Sequence, residues 1–262
     1  MVPLQDLTMY DTFSSEYDRF VNWKNRLGVE IPFLEKILHE AGARKVLDTA
    51  CGTGMHAIAL AQAGFDTVGA DFSAGMVDQA RVNAAAAGTA VQFEVAGFGE
   101  LEKTFGRESF DALLCLGNSL PHVSGNEQLL TTLADFTACL EPGGVLILQN
   151  RNFDAVMEKK MRWMEPQSAR EAGEEWIFQR FYDFDPDGMI NFHILSLHRV
   201  GDGEWQQTIR STRLFPLLKE PLTEALKGSG FEEIRYYGDM TGSSFDAHNS
   251  GNLVIAARRR GA

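Results

Sequence analysis

The feature that most constrains this chain is a short apolar burst that ends in an acid and leads into a glycine turn and a helix-forming stretch. The burst is residues 45–48 (KVLD), the turn is residues 51–54 (CGTG), and the helix-forming stretch is residues 55–63. A second strand-like segment over residues 66–70 ends at Asp71. A strand, a turn, a helix and another strand form the unit from which parallel sheets are built. The pattern therefore predicts a parallel sheet covered by helices.

The same alternation continues to residue 149. Ser73 is predicted to cap a helix that runs through Ala86. Three more strands are expected over residues 91–95, 110–116 and 145–149, and one more helix is expected over residues 128–139. The near-continuous apolar run of residues 110–116 indicates a central strand that is buried on both faces. The expected fold class is α/β, with a doubly wound, mostly parallel, Rossmann-like sheet.

Two regions depart from this alternation. Residues 1–40 carry apolar side chains at helical spacing, which predicts N-terminal helices. Antiparallel strands are predicted from strand-like segments separated by turn sequences, over residues 176–184, 189–199 and 205–215. The chain is expected to close with one helix and two strands, over residues 220–227, 231–237 and 252–257. Because no linker divides these parts, we expect a single domain over residues 1–262, a core over residues 45–150 and an antiparallel insertion over residues 160–215.

Composition narrows the classes of function. Acidic residues outnumber basic ones by 36 to 24, which leaves a net charge of −12 and argues against a nucleic-acid partner. The three cysteines have neither a zinc-site spacing nor a disulfide framework, and no metal is expected. The N-terminus lacks the basic end and apolar run of a signal peptide, and no stretch has the length of a membrane span. We therefore expect a cytoplasmic protein that does not bind membranes, whose assembly into a homo-oligomer stays open.

The glycine turn is the predicted ligand site, because ligands of open parallel sheets bind beyond the carboxyl ends of the strands. Asp71 ends the next strand, where a carboxylate can accept both hydroxyls of a ribose. The turn lacks the third glycine of a dinucleotide fingerprint. Asp48, directly before the turn, would repel a pyrophosphate but suits a cation such as the amino group of a methionine moiety. These charges favour S-adenosyl-L-methionine over a dinucleotide.

Three consecutive segments carry a family resemblance. VLDTACGTG, VGADFSAGMVDQA and FDALLCLGNSLPHV resemble the successive motifs of class I SAM-dependent methyltransferases and cover residues 45–150 in the expected order. CLGNSLPH and NRNFDAV, together with the N-terminal EYDRFVNWKNR, resemble the glycine and sarcosine N-methyltransferases within that class. The resemblance implies that residues 1–40 form lid helices and that the antiparallel insertion lies over the active site.

The resemblance also implies a set of cofactor-binding residues. Asp48 and the glycine turn would lie against the methionine moiety, Asp71 would hold the ribose, and lid residue Arg26 would reach the carboxylate. The product of transfer would be S-adenosyl-L-homocysteine. Gly97 stands where the glycine-specific members carry a polar residue, so one hydrogen bond to the adenine is absent or comes from the backbone. The contact of Asp48 with the ammonium would be direct or water-mediated. The implied residues are Trp23, Arg26, Asp48, Ala50, Gly52, Gly54, Asp71, Phe72, Met76, Gly97, Phe98 and Leu116.

Four residues are implied on the acceptor side, each with an ordinary structural alternative. Arg151 would grip a substrate carboxylate, which suits a planar guanidinium, or would form a surface ion pair. Asn118 would orient the acceptor amine or cap the turn that follows its strand. Tyr17 would lie near the transferred methyl group or in the core, and His122 would accept a proton or simply occupy a turn.

The resemblance therefore implies an enzyme that moves a methyl group to the amine of a small molecule, glycine, sarcosine or a related amino acid first. Its mechanism is direct in-line displacement, for which the protein supplies alignment and a dry site. An N-methyltransferase of an amino sugar or another small metabolite remains an alternative, because only the acceptor pocket would differ. A non-catalytic SAM-binding module is a second alternative, and a nucleotide-dependent oxidoreductase is disfavoured by the missing fingerprint.

Overall fold

The computed structural model describes Asp18, Arg19 and residues 21–261. The α-helices of this part of the chain are α1 (Trp23–Ala41), α2 (Met55–Gln62), α3 (Ala74–Ala86), α4 (Leu101–Phe105), α5 (Asn126–Cys139), α6 (Phe153–Lys159) and α7 (Lys219–Gly228). Its strands are β1 (Lys45–Thr49), β2 (Asp66–Asp71), β3 (Gln92–Val95), β4 (Phe110–Cys115), β5 (Leu140–Arg151), β6 (Gln167–Glu171), β7 (Glu174–Phe184), β8 (Ile190–Val200), β9 (Gln206–Leu214), β10 (Phe231–Tyr237) and β11 (Asn252–Arg259).

Seven of these strands form one twisted sheet in the order β10-β11-β5-β4-β1-β2-β3. Strands β1 to β5 are mutually parallel, and Leu47 of β1 pairs with Val68 on one side and Leu113 on the other. Strand β11 runs antiparallel to β5, and β10 runs antiparallel to β11. The predicted α/β class with a doubly wound, mostly parallel sheet is confirmed.

Helices cover both faces of this sheet. One face packs against α5 and α7 through a cluster that includes Phe136, Leu226 and Phe231. The other face packs against α1 through Leu34, Ile37 and Leu38. Because the central strands bury both of their faces, their apolar runs are nearly continuous, as the sequence showed for residues 110–116.

The remaining strands form a four-stranded antiparallel sheet in the order β6-β7-β8-β9. Its three long strands match the predicted hairpin and third strand, with ends that differ by one or two residues. The sheet approaches the carboxyl ends of the parallel strands, where the Phe215 backbone N–H donates to the Pro121 carbonyl at 2.7 Å. Side chains of β6 to β9 thereby face the same cavity as the ends of β1, β2 and β5.

Two local elements differ from the prediction. Strand β6 was not expected, because its sequence QSARE has no apolar alternation; it forms by pairing with β7 from Gln167 to Glu171. Strand β5 begins at Leu140 rather than at Val145, because Leu140 already pairs with Phe110 before the register shifts. The predicted cap at Ser73 is confirmed, since its Oγ accepts from the Met76 backbone N–H at 3.1 Å.

The described residues contain no helix that combines the length and the apolar character needed to cross a membrane. The three cysteines are buried and unpaired, so they contribute to packing.

Candidate active site

A cavity of about 860 Å³ opens at the carboxyl ends of the parallel strands. Its floor comes from β1, β2 and β5, one wall comes from helix α1, and the opposite wall comes from the antiparallel sheet. This is the position at which open α/β sheets bind ligands, and the volume lies within the range of small-molecule sites.

The glycine turn forms the floor of this cavity next to β1. Ala50, Gly52 and Gly54 all adopt left-handed backbone conformations, with φ of 56°, 54° and 79°. The turn folds back so that Gly54 donates its N–H to the Cys51 carbonyl at 3.0 Å. A side chain at Gly54 would also meet the Phe93 ring at 2.7 Å. Glycine is therefore required at position 54 by internal packing, while Ala50 and Gly52 line the cavity.

Asp71 is oriented by the backbone around it. One carboxylate oxygen accepts from the Gly52 N–H at 2.8 Å, and the other accepts from the Ser73 N–H at 2.9 Å. The side chain is buried but lines the cavity. A carboxylate is an acceptor with several lone pairs, which is the chemistry that ribose hydroxyl donors require.

Asp48 lies below the turn and is fully buried. Neither its Oδ2 nor the Thr49 Oγ1 has a hydrogen-bond partner among the described residues. Burial, reinforced by the charge of Asp71, raises the pKa of Asp48 to about 8. A cation beside Asp48 would stabilise its charged form and lower that pKa. The orphaned oxygens therefore fit a ligand with an ammonium group, as the expected cofactor has.

Phe72, Met76, Gly97 and Phe98, the residues expected beside the adenine, all line the cavity. Glu100 also lines the cavity there, and its Oε2 accepts from the Gly97 N–H at 3.0 Å. A side chain at Gly97 would lie 3.3 Å from the Phe72 Cβ and 3.5 Å from Glu100 Oε2. Glu100 therefore places a polar group next to Gly97, the position at which the glycine-specific enzymes are expected to carry a polar residue.

Arg26 belongs to a hydrogen-bonded network that joins α1 to the sheet. Its Nε donates to Glu30 at 3.0 Å, and its Nη2 donates to the Gln149 side chain at 3.2 Å. Glu30 also contacts the His56 ring at 2.6 Å and accepts from Gln149 Nε2 at 3.0 Å. The Trp23 ring lies 5.3 Å below the guanidinium and packs edge-on against His56. Arg26 lines the cavity, whereas Trp23 supports it from behind.

The charges in this network follow from burial and pairing. Burial alone would raise the pKa of Glu30, but the His56 hydrogen bond and the charge of Arg26 together hold it below its usual value. Burial lowers the pKa of His56, although the bond to Glu30 opposes this shift. The arrangement is therefore an ionised carboxylate that receives hydrogen bonds from a neutral imidazole, a guanidinium and an amide.

The turn after β4 forms the boundary between the two halves of the cavity. Gly117 and Asn118 have φ of 71° and 67°. Three hydrogen bonds to β5 hold them: Gly117 N–H to Gln149 Oε1 at 3.0 Å, Asn118 N–H to the Gln149 carbonyl at 2.9 Å, and the Arg151 N–H to Asn118 Oδ1 at 2.8 Å. The Asn118 side chain thus caps the turn and also lines the cavity.

The wall expected to face the methyl acceptor combines cationic and uncharged polar groups. Arg151 and Arg180 line it together with Tyr182, whose pKa burial raises to about 12 against the charges of both arginines. Asn150 is buried, and neither atom of its amide has a partner in the part of the chain that the structure describes. Desolvation lowers the pKa of His122 to about 4, so its imidazole is neutral near pH 7.

The structure brings most predicted site residues to one cavity. Those that line it are Arg26, Ala50, Gly52, Asp71, Phe72, Met76, Gly97, Phe98, Asn118, His122 and Arg151. Four other predicted residues are not among those that line it, namely Trp23, Asp48, Gly54 and Leu116. Leu116 packs into the core beneath α1. Tyr17 lies outside the described residues.

Sequence reasoning missed a group of lining residues: Glu30, Glu100, Gln149, Asn150, Gln167, Arg180, Tyr182, Thr212 and Asn252. Most come from α1, the end of β5 and the antiparallel sheet. Their spacing carries no local pattern, because elements far apart in the chain bring them together. Gln149 and Asn150 directly precede the predicted Arg151, and two polar residues at the end of an apolar strand were the available signal. Among the described residues, no cluster of His, Cys, Asp or Glu is placed to hold a metal ion.

Comparison with known proteins agrees with this geometry. Residues 46–144 match a family described as a methyltransferase domain. The chain is 32% identical over 228 residues to the glycine/sarcosine N-methyltransferase of Aphanothece halophytica. The aligned region covers 87% of this chain and 81% of that protein.

Solved structures share the fold. An S-adenosylmethionine-dependent methyltransferase from Clostridium acetobutylicum superposes with a TM-score of 0.76 at 17% identity, over 96% of this chain and 99% of that one. The sugar N-methyltransferase KedS8 from Streptoalloteichus superposes with a TM-score of 0.74 at 22% identity, over 96% of this chain and 92% of that one. With the cavity described above, these likenesses show that the chain belongs to the class I methyltransferase family that includes the glycine/sarcosine N-methyltransferases, and that it is an S-adenosylmethionine-dependent methyltransferase.

Proposed function

We propose that this methyltransferase acts on the amine of a small molecule that also carries a carboxylate, with glycine or sarcosine as the first candidates. The observation that carries the proposal is the acceptor wall, where the guanidinium groups of Arg151 and Arg180 line one cavity beside Asn118. The Arg151 guanidinium at this wall suits an anionic acceptor, because a planar guanidinium can donate two parallel hydrogen bonds to a carboxylate. The names of the relatives at 32% identity support the same class of acceptor.

The roles of the residues around the cofactor are assigned from the lining of the same cavity. We assign Asp71 to the ribose hydroxyls, Asp48 to the ammonium group and Arg26 to the carboxylate of the methionine moiety. Phe72 and Met76 would pack against the adenine, to which the Glu100 carboxylate offers a polar contact.

When bound, S-adenosylmethionine supplies a methyl group on a sulfonium, which a neutral amine nitrogen takes in one displacement. Arg151 would hold the acceptor carboxylate, and the amide of Asn118 would orient the nitrogen. His122 is uncharged near pH 7 and could receive the amine proton, although its depressed pKa makes it a weak base. The walls from α1 and the antiparallel sheet would exclude water from the site. Alignment of the amine with the methyl group would supply most of the rate enhancement.

The experiment that tests the acceptor class is an assay of S-adenosylhomocysteine release with a panel of acceptors. The panel pairs each carboxylate-bearing amine with its amide: glycine with glycinamide and sarcosine with sarcosinamide, and it includes amino sugars. Turnover of the acids at least about tenfold above the amides supports the proposal, since a charged hydrogen-bonded pair is worth ~1.5–3 kcal/mol. Turnover of amino sugars alone would support the function named for KedS8 and would reject the carboxylate assignment.

Arg151→Ala provides the matched variant for the same assay. We expect it to raise the acceptor KM by about tenfold or more while the Kd for S-adenosylhomocysteine stays within about twofold, because the guanidinium lies on the acceptor wall. Arg107→Ala serves as the control, since Arg107 is exposed and pairs with Glu102. Equal losses in acceptor KM and product affinity would remove Arg151 from the carboxylate site.

A further inference from the structure

We propose that Gln149 is a positioning residue that couples the cofactor's carboxylate end to the acceptor turn. The proposal rests on the assignment of Arg26 to the cofactor carboxylate, and it adds a physical connection between the two halves of the site. Gln149 lies near the end of β5, is buried and lines the cavity between α1 and the turn after β4.

Every polar atom of this side chain is engaged. Oε1 accepts from Arg26 Nη2 at 3.2 Å and from the Gly117 N–H at 3.0 Å. Nε2 donates to Glu30 Oε1 at 3.0 Å. The main-chain carbonyl of the same residue accepts from the Asn118 N–H at 2.9 Å. One residue therefore contacts the arginine of the lid helix and both residues of the acceptor turn.

The surrounding charges allow only one orientation of the amide. Glu30 is ionised and can only accept, so the Gln149 amide must present its NH₂ to it. Arg26 and the Gly117 N–H can only donate, so both must meet the amide oxygen. A reversed amide would place two acceptors together at one end and three donors together at the other. The network thus holds the oxygen between the guanidinium and the turn.

The turn after β4 depends on hydrogen bonds of this kind. Gly117 and Asn118 both have positive φ, a conformation that a non-glycine residue adopts at a cost. The bonds from β5 offset that cost, and the Asn118 side chain in turn accepts from the Arg151 N–H at 2.8 Å. A change in the position of Gln149 Oε1 would therefore reach the turn that carries the acceptor-side asparagine.

Ligand binding at Arg26 supplies that change. A carboxylate that draws the Arg26 guanidinium toward the cofactor weakens the hydrogen bond from Arg26 to Gln149 Oε1. The Gly117 N–H, which shares that oxygen, then forms the stronger hydrogen bond to it. Linkage makes the effect reciprocal, so an ordered turn also favours the guanidinium position that binds the carboxylate. Cofactor binding then prepares the acceptor turn without a direct contact between the two ligands.

The test compares S-adenosylhomocysteine with 5′-methylthioadenosine, which lacks the amino-acid end and cannot engage Arg26. Affinities are measured by calorimetry, and hydrogen exchange is measured for the backbone of residues 115–122 at saturating ligand. In the natural protein, S-adenosylhomocysteine should slow exchange in this segment and 5′-methylthioadenosine should slow it less. Equal protection by both ligands would overturn the proposal without the use of any variant.

Gln149→Leu removes the amide at similar side-chain size. We expect its affinity for S-adenosylhomocysteine to fall about tenfold, its affinity for 5′-methylthioadenosine to stay within about twofold, and the added protection of residues 115–122 to disappear. Gln92→Leu, at an exposed position in β3, should behave as the natural protein.

Two results with the Gln149→Leu protein would refute the coupling: undiminished protection at saturation, or equal losses of affinity for both ligands. Neither readout uses the methyl acceptor. A failure of the coupling is therefore distinguishable from a failure of the proposed substrate, which only the turnover panel addresses.

Discussion

The buried carboxyl of Asp48 should make the free enzyme less stable as pH rises through neutrality. Its pKa in the folded protein is about 8, against an ordinary value of 3.8. Between these values the folded chain holds a proton that the unfolded chain has lost. The free energy of unfolding therefore falls by ~1.4 kcal/mol for each pH unit in this window and stops falling above the folded pKa. From about pH 5.5 to about pH 7.5 the loss from this one group amounts to ~2.5 kcal/mol.

Asp48→Asn is the perturbation that isolates this effect, because the amide has the shape of the protonated acid and does not titrate. Urea unfolding of both proteins, followed by tryptophan fluorescence at the two pH values, yields the difference directly. The natural protein should lose ~2.5 kcal/mol more than the variant, while Asp66→Asn, at an exposed position of β2, should follow the natural protein. Equal pH dependence of the natural and Asp48→Asn proteins would refute the reasoning.

The same carboxyl predicts a proton release on cofactor binding. An ammonium group beside Asp48 would lower its pKa, so S-adenosylhomocysteine should displace close to one proton near pH 7. Calorimetry in two buffers of different ionisation enthalpy measures this number. The Asp48→Asn protein should bind S-adenosylhomocysteine more weakly and release fewer protons on binding it. An unchanged proton count in the variant would show that the released proton comes from another group.

Two further variants test the cofactor loop. Asp71→Ala should weaken S-adenosylhomocysteine binding by about tenfold or more, since it removes the carboxylate that receives the Gly52 and Ser73 N–H groups; calorimetry with unchanged affinity would remove Asp71 from the site. Gly54→Ala should lower the free energy of unfolding by more than Gly42→Ala does. Both positions have positive φ, of 79° and 69°, so each substitution costs ~1–2 kcal/mol of backbone strain. Only the former also meets a ring, at 2.7 Å, so equal losses in urea unfolding would contradict the packing argument.

The glycine turn and the strand ends around it could be predicted because their determinants are local in the chain. The Ser73 cap closes a bond to Met76, three residues away, and the glycine turn reaches its left-handed conformations within five residues. Asp71 lies at the end of the strand that pairs with β1, so sequence spacing alone placed it beside the turn. The packing role of Gly54 was less visible, because its neighbour Phe93 comes from a third strand.

Strand β6 shows why one element was missed. Its five residues are mostly polar and exposed, so neither alternation nor burial marks them in the sequence. The strand exists because the edge of β7 offers unpaired backbone groups from Glu174 to Phe178. An element formed by the hydrogen-bonding needs of its neighbour carries little signal of its own.

The acceptor half had the same difficulty at the level of single residues. Gln149 and Glu30 are 119 positions apart, and nothing in either local sequence indicates that they share a hydrogen bond. Asn118 was open to two interpretations, and its bond to the Arg151 N–H shows that it caps the turn as well as lining the cavity.

The sequence by itself determined the alternating core and the glycine turn, because capping bonds, left-handed turns and strand ends act over a few residues. The class of enzyme followed from the resemblance of its successive motifs to those of class I methyltransferases. Only the tertiary structure decided which groups line the cavity on the side proposed for the methyl acceptor. The end of β5, the turn after β4, helix α1 and the antiparallel sheet meet there through contacts across the whole chain, and buried polar groups such as Gln149 take their partners from whatever that packing brings within hydrogen-bond distance.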